Sequence, residues 1–182
     1  VPIFYLKTPE CFLIMKTAKY SMKRYTAFYN KQKKGFFNMA NHISGTQQDM
    51  EKWMEKSFGT NSKLYTKGII AQLNPSFICC DFENNSLTLE FTAEPWAANP
   101  EGILHGGILV TAFDTTFGAL CHYYAKQNMI NTVEISTSFL KPVPLNSKYQ
   151  ITAKANHVGR TLTSMTAEAR LVQSNTLLAT AS

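Results

Sequence analysis

Asp114 is the residue whose type and setting most strongly suggest chemistry. It is the one formally charged residue in the stretch 102–125, which is otherwise rich in apolar side chains. An aspartate weakens the interior of a helix and is rarely buried without a partner. Gly107, Thr111 and Gly118 lie on the same helical stripe, and their small size lets a second backbone or a ligand approach the carboxylate. This setting favours a functional acid over a packing groove that tolerates one.

Gly106 and Gly107 stand where the same helix is predicted to begin. The first N–H groups of a helix have no partner within it, and together with the helix dipole they stabilise a negatively charged oxygen. Two glycines would let a substrate carbonyl come close to these groups, which is the make-up of an oxyanion hole. A tight turn would use the same glycine pair, so the pair by itself leaves both interpretations open.

The spacing between these two features constrains any reaction that uses both. Gly106 and Asp114 are eight residues apart, which is about 12 Å along a helix. An oxyanion hole and a base each have to lie about 3 Å from the reacting atoms. One helix cannot place both at a single carbonyl. The pattern therefore predicts a homodimer in which Gly106 of one subunit meets Asp114 of the other.

The rest of the chain is predicted to form strands around that helix. The central helix is expected over about 106–126 and a short amphipathic helix over 47–58, while residues 64–73 fit either a helix end or a strand. Helices and strands do not alternate, which argues against a doubly wound parallel sheet and for an α+β fold with an antiparallel sheet wrapped around one long helix. The expected strands are 77–83, 87–92, 132–140, 148–158, 161–172 and one that begins near 176, with turns at Asn84-Asn85-Ser86 and Gly159-Arg160.

Composition and charge exclude several classes of function. Residues 1–38 hold eight of the 18 Lys and Arg residues and one acid, so the net charge of +6 is concentrated there and the remaining chain is nearly neutral. This distribution argues against a nucleic-acid-binding body, and no apolar run approaches the length of a membrane span. We expect a cytoplasmic protein with four reduced cysteines. Neither metal-ligand spacing nor a Gly-x-Gly-x-x-Gly fingerprint is present, so no metal and no cofactor are expected.

The chain is predicted to contain one domain and one extension. Residues 1–46 are interpreted as a basic N-terminal extension, either disordered or not native to the protein, because 1–38 lack periodicity and Met39 opens a segment typical of an ordinary N-terminus. A transit peptide is the alternative, since the stretch is basic and acid-poor. Residues 47–182 form the predicted domain, and the sequence stops inside a predicted strand, which indicates truncation there.

Residues 99–120 resemble the core motif of the hotdog-fold acyl-CoA thioesterases of the PaaI and thioesterase-superfamily type. That motif is an Asn, then His-Gly-Gly six residues later, then an Asp nine residues after the His; Asn99, His105-Gly106-Gly107 and Asp114 match each spacing. The resemblance covers about residues 60–182. It implies hydrolysis of acyl-CoA thioesters to free acid and CoA, with CoA entering only as part of the substrate. It also implies subunits whose sheets pair edge to edge, with pairing of dimers left open.

The same resemblance assigns catalytic roles residue by residue. Asp114 corresponds to the catalytic carboxylate, acting as general base for water or as nucleophile. Gly106 corresponds to the residue whose N–H polarises the thioester carbonyl. Asn99 helps to place the attacking water or the thioester, and His105 orients this loop near the carbonyl. Thr132 lies 18 residues after the acid, where some relatives have a water-binding serine.

Contacts with the substrate are assigned to three further residues. Gly107 and Thr115 flank the predicted oxyanion hole and the acid. Arg160 lies in a segment that resembles the hairpin whose basic residue approaches the phosphates of coenzyme A. A solvated turn residue is the alternative for Arg160.

Two other functions stay open at this point. A hotdog module would bind acyl-CoA without catalysis and serve a regulatory role. A hotdog dehydratase would act on hydroxyacyl thioesters, but it uses a His and an acid in a differently placed motif that the sequence lacks.

Overall fold

The structure, a computed structural model, describes residues 3–6, 45–60, 62, 64–126 and 128–182. The helices are Gln47–Phe58, Gly68–Leu73 and the central helix Gly106–Tyr124, and a 3-10 turn spans Pro95–Ala97. The strands are β1 (Ile3–Leu6), β2 (Ser76–Asp81), β3 (Ser86–Thr92), β4 (Ile130–Glu134), β5 (Thr137–Phe139), β6 (Lys148–Val158), β7 (Leu162–Leu171) and β8 (Leu177–Ala181).

The central helix supplies one side of the hydrophobic core. Leu109, Phe113, Phe117 and Leu120 are buried, and the rings of Phe113 and Phe117 stack with their centroids 6.4 Å apart. The helix packs on β6 and β3, whose apolar side chains alternate along the strand and so point to one face. Buried residues of that face are Leu87, Leu89, Phe91, Tyr149, Ile151 and Ala153. Because helix and sheet cover each other, Asp114 and the helix start are held on a rigid element.

All strand pairs are antiparallel, and together they form one sheet. The order runs β2-β3-β6-β7-β1-β4, and β8 pairs with both β7 and β5. The predicted α+β class, with an antiparallel sheet around one long helix, is confirmed. Two of the elements predicted for the domain differ from the structure. The predicted strand 132–140 is divided into β4 and β5, and the ambiguous stretch 64–73 contains a short helix.

The two edges of the sheet differ in how their backbone groups are covered. At the β2 edge, the side chain of Gln47 donates to the carbonyl oxygen of Cys80 at 2.8 Å and accepts from the N–H of Phe82 at 2.8 Å, so it takes the place of a neighbouring strand. At the other end, β4 and β5 each have one strand partner in the described part of the chain, β1 and β8. Among the described residues no strand pairs with their outer edge, and exposed strand edges are templates for pairing with another chain.

β1 lies between β7 and β4 and pairs antiparallel with both. Its residues fall within the stretch 1–46 that the sequence analysis places outside the domain. For residues 3–6 the structure differs from that expectation, because a backbone placed between two strands satisfies hydrogen-bonding groups on both sides. Residues 7–44 lie outside the described residues, and the division into extension and domain stays a prediction.

Replacing Phe113 with alanine tests the role of the central helix in the core. The ring is fully buried, so Phe113→Ala should lower the free energy of unfolding by about 3–5 kcal/mol through lost burial and a residual cavity. Urea denaturation followed by circular dichroism measures this. Val172→Ala, at a side chain that is 43% exposed, is the control and should change the stability by less than about 0.5 kcal/mol. Equal effects would show that the helix is not the core element described here.

Candidate active site

The start of the central helix leaves one backbone N–H group available. His105 is the N-cap residue, and its Nδ1 accepts a hydrogen bond from the N–H of Gly107 at 2.9 Å. The N–H groups of Ile108 and Leu109 donate to the carbonyl oxygen of His105 at 2.9 and 3.2 Å. Among the described residues, the N–H of Gly106 has no acceptor. The imidazole cap thus singles out Gly106 as the free donor at a helix N-terminus, where a negatively charged oxygen is stabilised.

The loop before the helix is closed by Asn99. Its side-chain oxygen accepts from the N–H groups of Glu101 and Ile103, both at 3.1 Å, and its own N–H donates to the carbonyl oxygen of Ile103 at 2.8 Å. The N–H of His105 donates to the carbonyl oxygen of Ala97 at 2.8 Å, and this bond anchors the loop to the 3-10 turn. The side-chain oxygen of Asn99 therefore stabilises the loop. Its amide NH2 group has no acceptor within the described part of the chain and can donate to a ligand.

The acid lies on the same helix but belongs to a second group of residues. One oxygen of the half-buried Asp114 accepts a hydrogen bond from the hydroxyl of Thr132, at 2.6 Å. This bond joins the central helix to β4 across 18 residues of sequence. The second carboxylate oxygen has no hydrogen-bond partner among the described residues. Thr115 donates its hydroxyl to the carbonyl oxygen of Thr111 at 2.8 Å, so that proton stays within the helix.

The structure sorts the predicted site residues into two half-sites and one outlier. Asn99, His105, Gly106 and Gly107 form the helix-start half-site, which holds a free N–H and a free amide. Asp114, Thr115 and Thr132 form the acid half-site, about 12 Å further along the same helix. Arg160 belongs to neither: it is exposed in the turn between β6 and β7 and, in the region the structure covers, forms no ion pair.

Gly107 takes part in the cap of the helix. Its N–H donates to the imidazole of His105, and its contact with the substrate stays a prediction. A Cβ atom at this position would lie 3.1 Å from Nδ1 and 3.2 Å from Cε1 of His105. The absent side chain thus makes room for the cap.

Phe139 is a neighbour of the helix start that sequence reasoning missed. Its ring atoms lie 3.2, 3.4 and 3.7 Å from the position of a Cβ built on Gly106, and the side chain is nevertheless 56% exposed. An exposed aromatic ring at the end of a strand carries no signal in one sequence. Only the fold brings it beside the helix start, 33 residues away in the chain.

Two cysteine thiols outside the two half-sites are poorly suited to act as nucleophiles. Burial raises the pKa of the Cys121 thiol to about 11, and burial, aided by nearby carboxylates, raises the pKa of the Cys80 thiol to about 11. Both thiols are therefore protonated at neutral pH and are weak nucleophiles. Within the described ranges, His, Cys, Asp and Glu side chains form no group of three that would hold a metal ion. Absence of a metal or cofactor stays a prediction.

Comparison with known proteins identifies the fold. Residues 101–178 match the sequence profile described as Thioesterase superfamily, and no curated protein matches the chain. The structure is similar to the E. coli PaaI protein from the phenylacetic acid degradation operon, with 21% identity and a TM-score of 0.54 over 62% of this chain and 78% of that one. It is also similar to thioesterase superfamily member 2 from Mus musculus, with 19% identity and a TM-score of 0.57 over 76% and 95%.

A third similar structure was solved with a ligand. It is a Streptococcus mutans protein bound to acetyl-CoA, with 19% identity and a TM-score of 0.51 over 59% of this chain and 83% of that one. The chain has the hotdog fold. Together with the sequence match, this confirms its resemblance to the PaaI-type hotdog thioesterases.

None of the described helices is long and apolar enough to cross a bilayer.

His122, in the last turn of the central helix, should make stability depend on pH. Burial lowers the pKa of His122 from its ordinary value of 6.5. As pH falls below about 6.5, the unfolded state therefore takes up a proton before the folded state does, and the free energy of unfolding decreases. In His122→Gln this decrease should be smaller, as measured by urea denaturation at several pH values. His157→Gln, at an exposed strand position, is the matched control, and an equal change in that variant would contradict the assignment to burial.

Proposed function

We propose that this protein hydrolyses acyl-CoA thioesters to the free acid and coenzyme A, at a site shared by two subunits. The observation that carries the proposal is the N–H of Gly106, the one donor of the first helical turn without an acceptor among the described residues, on the helix that also presents Asp114. The sequence match to the thioesterase superfamily over 101–178 supports the thioester bond as the target. The Streptococcus mutans relative bound to acetyl-CoA supports coenzyme A as the thiol.

In this proposal Gly106 supplies the oxyanion hole. The N–H donates to the thioester carbonyl and then more strongly to the oxygen that becomes negatively charged in the tetrahedral intermediate. The positive end of the helix dipole adds to this effect, because the first turn of the central helix points at the same oxygen. In the same proposal the side-chain amide of Asn99, in the adjoining loop, donates to the attacking water or to the thioester.

Asp114 supplies the base from the other subunit. Thr132 holds one carboxylate oxygen, so the remaining oxygen is left to accept a proton from water while that water attacks the carbonyl carbon. When the intermediate collapses, the carbon–sulfur bond breaks, and the proton taken up by Asp114 passes to the leaving thiolate. Direct attack by the carboxylate, followed by hydrolysis of the resulting anhydride, uses the same residue and is the second route.

The surface of the protomer supports the required dimer. Strand β4 exposes every side chain after Ile130, including that of Val133, which is 56% exposed. No further strand of the described residues pairs with its outer edge or with that of β5, whereas Gln47 covers the opposite edge of the sheet. A second copy pairing along β4 and β5 would cover these exposed side chains and satisfy the edge. Contacts of Thr115 and Arg160 with the substrate, Arg160 at the phosphates of CoA, are part of the same proposal.

Replacing Gly106 with proline tests the oxyanion hole. Proline lacks the N–H but is favoured at the first position of a helix, and His105 already has the extended backbone that a following proline requires. Gly106→Pro should lower kcat for acyl-CoA hydrolysis by about 10²–10³-fold. Gly106→Ala, which adds a Cβ but keeps the N–H, is the matched control and should lose much less. Equal losses in the two variants would assign the effect to the side chain rather than to the N–H.

Tagged heterodimers test whether the site is shared. In a trans heterodimer, one subunit carries Gly106→Pro and the other Asp114→Asn, so one of the two composite sites is intact and about half of the wild-type activity should remain. In a cis heterodimer, both substitutions lie in one subunit and its partner is wild type, so both sites are damaged and activity should be near zero. If each subunit holds its own complete site, the two results will be exchanged. If the wild-type protein releases no thiol from short, medium, long or aryl acyl-CoAs, the proposed function fails.

A further inference from the structure

We infer that Phe139 is a substrate-positioning residue, whose ring forms an apolar wall beside the Gly106 N–H and packs against the thioester group. The inference rests on the proposed function, because it assigns a part to Phe139 in the same oxyanion hole. It adds a residue of β5 to the helix-start half-site, which otherwise consists of Asn99, His105, Gly106 and Gly107.

Contact geometry is the first support. Three ring atoms of Phe139 lie within 3.2–3.7 Å of the built Cβ position of Gly106. That position is one bond from the Cα atom that also carries the free N–H, so the edge of the ring lies next to the donor. In this inference, an incoming carbonyl oxygen that reaches the N–H also contacts the ring.

The backbone around Phe139 holds the ring in this place. Phe139 pairs with Ala179 in β8, and the N–H groups of Leu140 and Lys141 both donate to the carbonyl oxygen of Leu178, at 2.8 and 3.0 Å. Successive side chains of a strand point to opposite faces. Phe139 points to the helix side, as its contact with Gly106 shows, and Ser138 lines the groove on the outer face of the sheet. The ring is thus presented to the helix start by a strand fixed on its inner edge.

Exposure is the second support. In the protomer this ring is 56% exposed while it touches the helix start, so one of its faces is not used in packing the core. An apolar wall excludes water from the Gly106 N–H, and a hydrogen bond to an oxyanion is stronger where water is excluded. The free face of the ring offers a surface to the sulfur and its neighbouring methylene groups. Since these atoms are common to all acyl-CoAs, the effect of Phe139 should not depend on the acyl group.

The main test compares Phe139→Ala with Leu140→Ala. Leu140 is the next residue and is 53% exposed, so it matches Phe139 in position along the chain and in exposure, but it follows β5 and has no part in the proposed site. Phe139→Ala should lower kcat/KM by about tenfold, by a similar factor for short, long and aryl acyl-CoAs, while Leu140→Ala changes it less than twofold. Phe139→Leu should recover part of the loss. Mass measurement by light scattering checks that all variants keep the wild-type assembly.

A double variant tests the contact with Gly106 itself. In the wild-type background, Gly106→Ala places a methyl group 3.2 Å from the ring, so the ring has to shift. In the Phe139→Ala background the same methyl group finds space, and the loss in kcat/KM caused by Gly106→Ala should be smaller. Additive losses would overturn the inference, because they would show that the ring does not act at the helix start.

Binding of uncleavable substrate analogues separates this inference from the proposed function. The probes are ketone analogues of hexanoyl-CoA and phenylacetyl-CoA, in which a methylene group replaces the sulfur and the carbonyl is kept. By titration calorimetry, Phe139→Ala should weaken both by a similar factor, and Leu140→Ala should weaken neither. If the wild type hydrolyses thioesters but Phe139→Ala behaves like Leu140→Ala in both assays, the inference fails and the proposed function stands. If hydrolysis is absent but the difference in binding between Phe139→Ala and Leu140→Ala is found, the proposed function fails and the role of Phe139 in binding stands.

Discussion

A straight helix sets the distance between its own residues, and in this protein that distance separates two groups that would have to act on one carbonyl. The free N–H of Gly106 and the carboxylate of Asp114 are about 12 Å apart along the helix axis. The helix cannot bend to close this gap, because its apolar residues are buried against β3 and β6. The two groups can therefore act on one carbonyl only if a second copy brings its own half-site close. The edge along β4 and β5, which no strand of the described residues pairs with, offers a surface on which that copy could bind.

The chemistry of the helix start depends on which N–H groups are already used. His105 contributes twice, since its imidazole accepts from Gly107 and its carbonyl oxygen accepts from Ile108 and Leu109. Among the described residues this leaves a single N–H donor at the helix start, rather than the several donors that the two glycines would suggest. Asp114 shows the same principle in the opposite sense, since Thr132 occupies one carboxylate oxygen and leaves the other open. At both helix positions, Gly106 and Asp114, one polar group is thus left without a partner among the described residues.

Much of the fold could be predicted, because its causes are local. The alternation of Tyr149, Ile151 and Ala153 with polar residues indicates a strand with one buried face, and the structure has it. The long uncharged segment around Asp114 indicates a helix, and the structure ends it within two residues of the expected end. The division of the strand at 132–140 was missed. Val133, Ile135 and Phe139 are apolar and lie at alternate positions across both halves, so the pattern shows no interruption. The break at Ile135-Ser136 lies where the strand changes its neighbour from β1 to β8.

The sequence alone indicates the residue types of the site, their order and the distance between its halves, since spacing along a helix follows from the number of residues. Three facts required the tertiary structure. The bond between Thr132 and Asp114, the use of the Gly107 N–H by the imidazole of His105, and the ring of Phe139 at Gly106 all depend on side-chain direction or on segments far apart in the chain. Residue spacing carries no information on where a side chain turns or which strand end meets a helix, because packing of the whole core decides both.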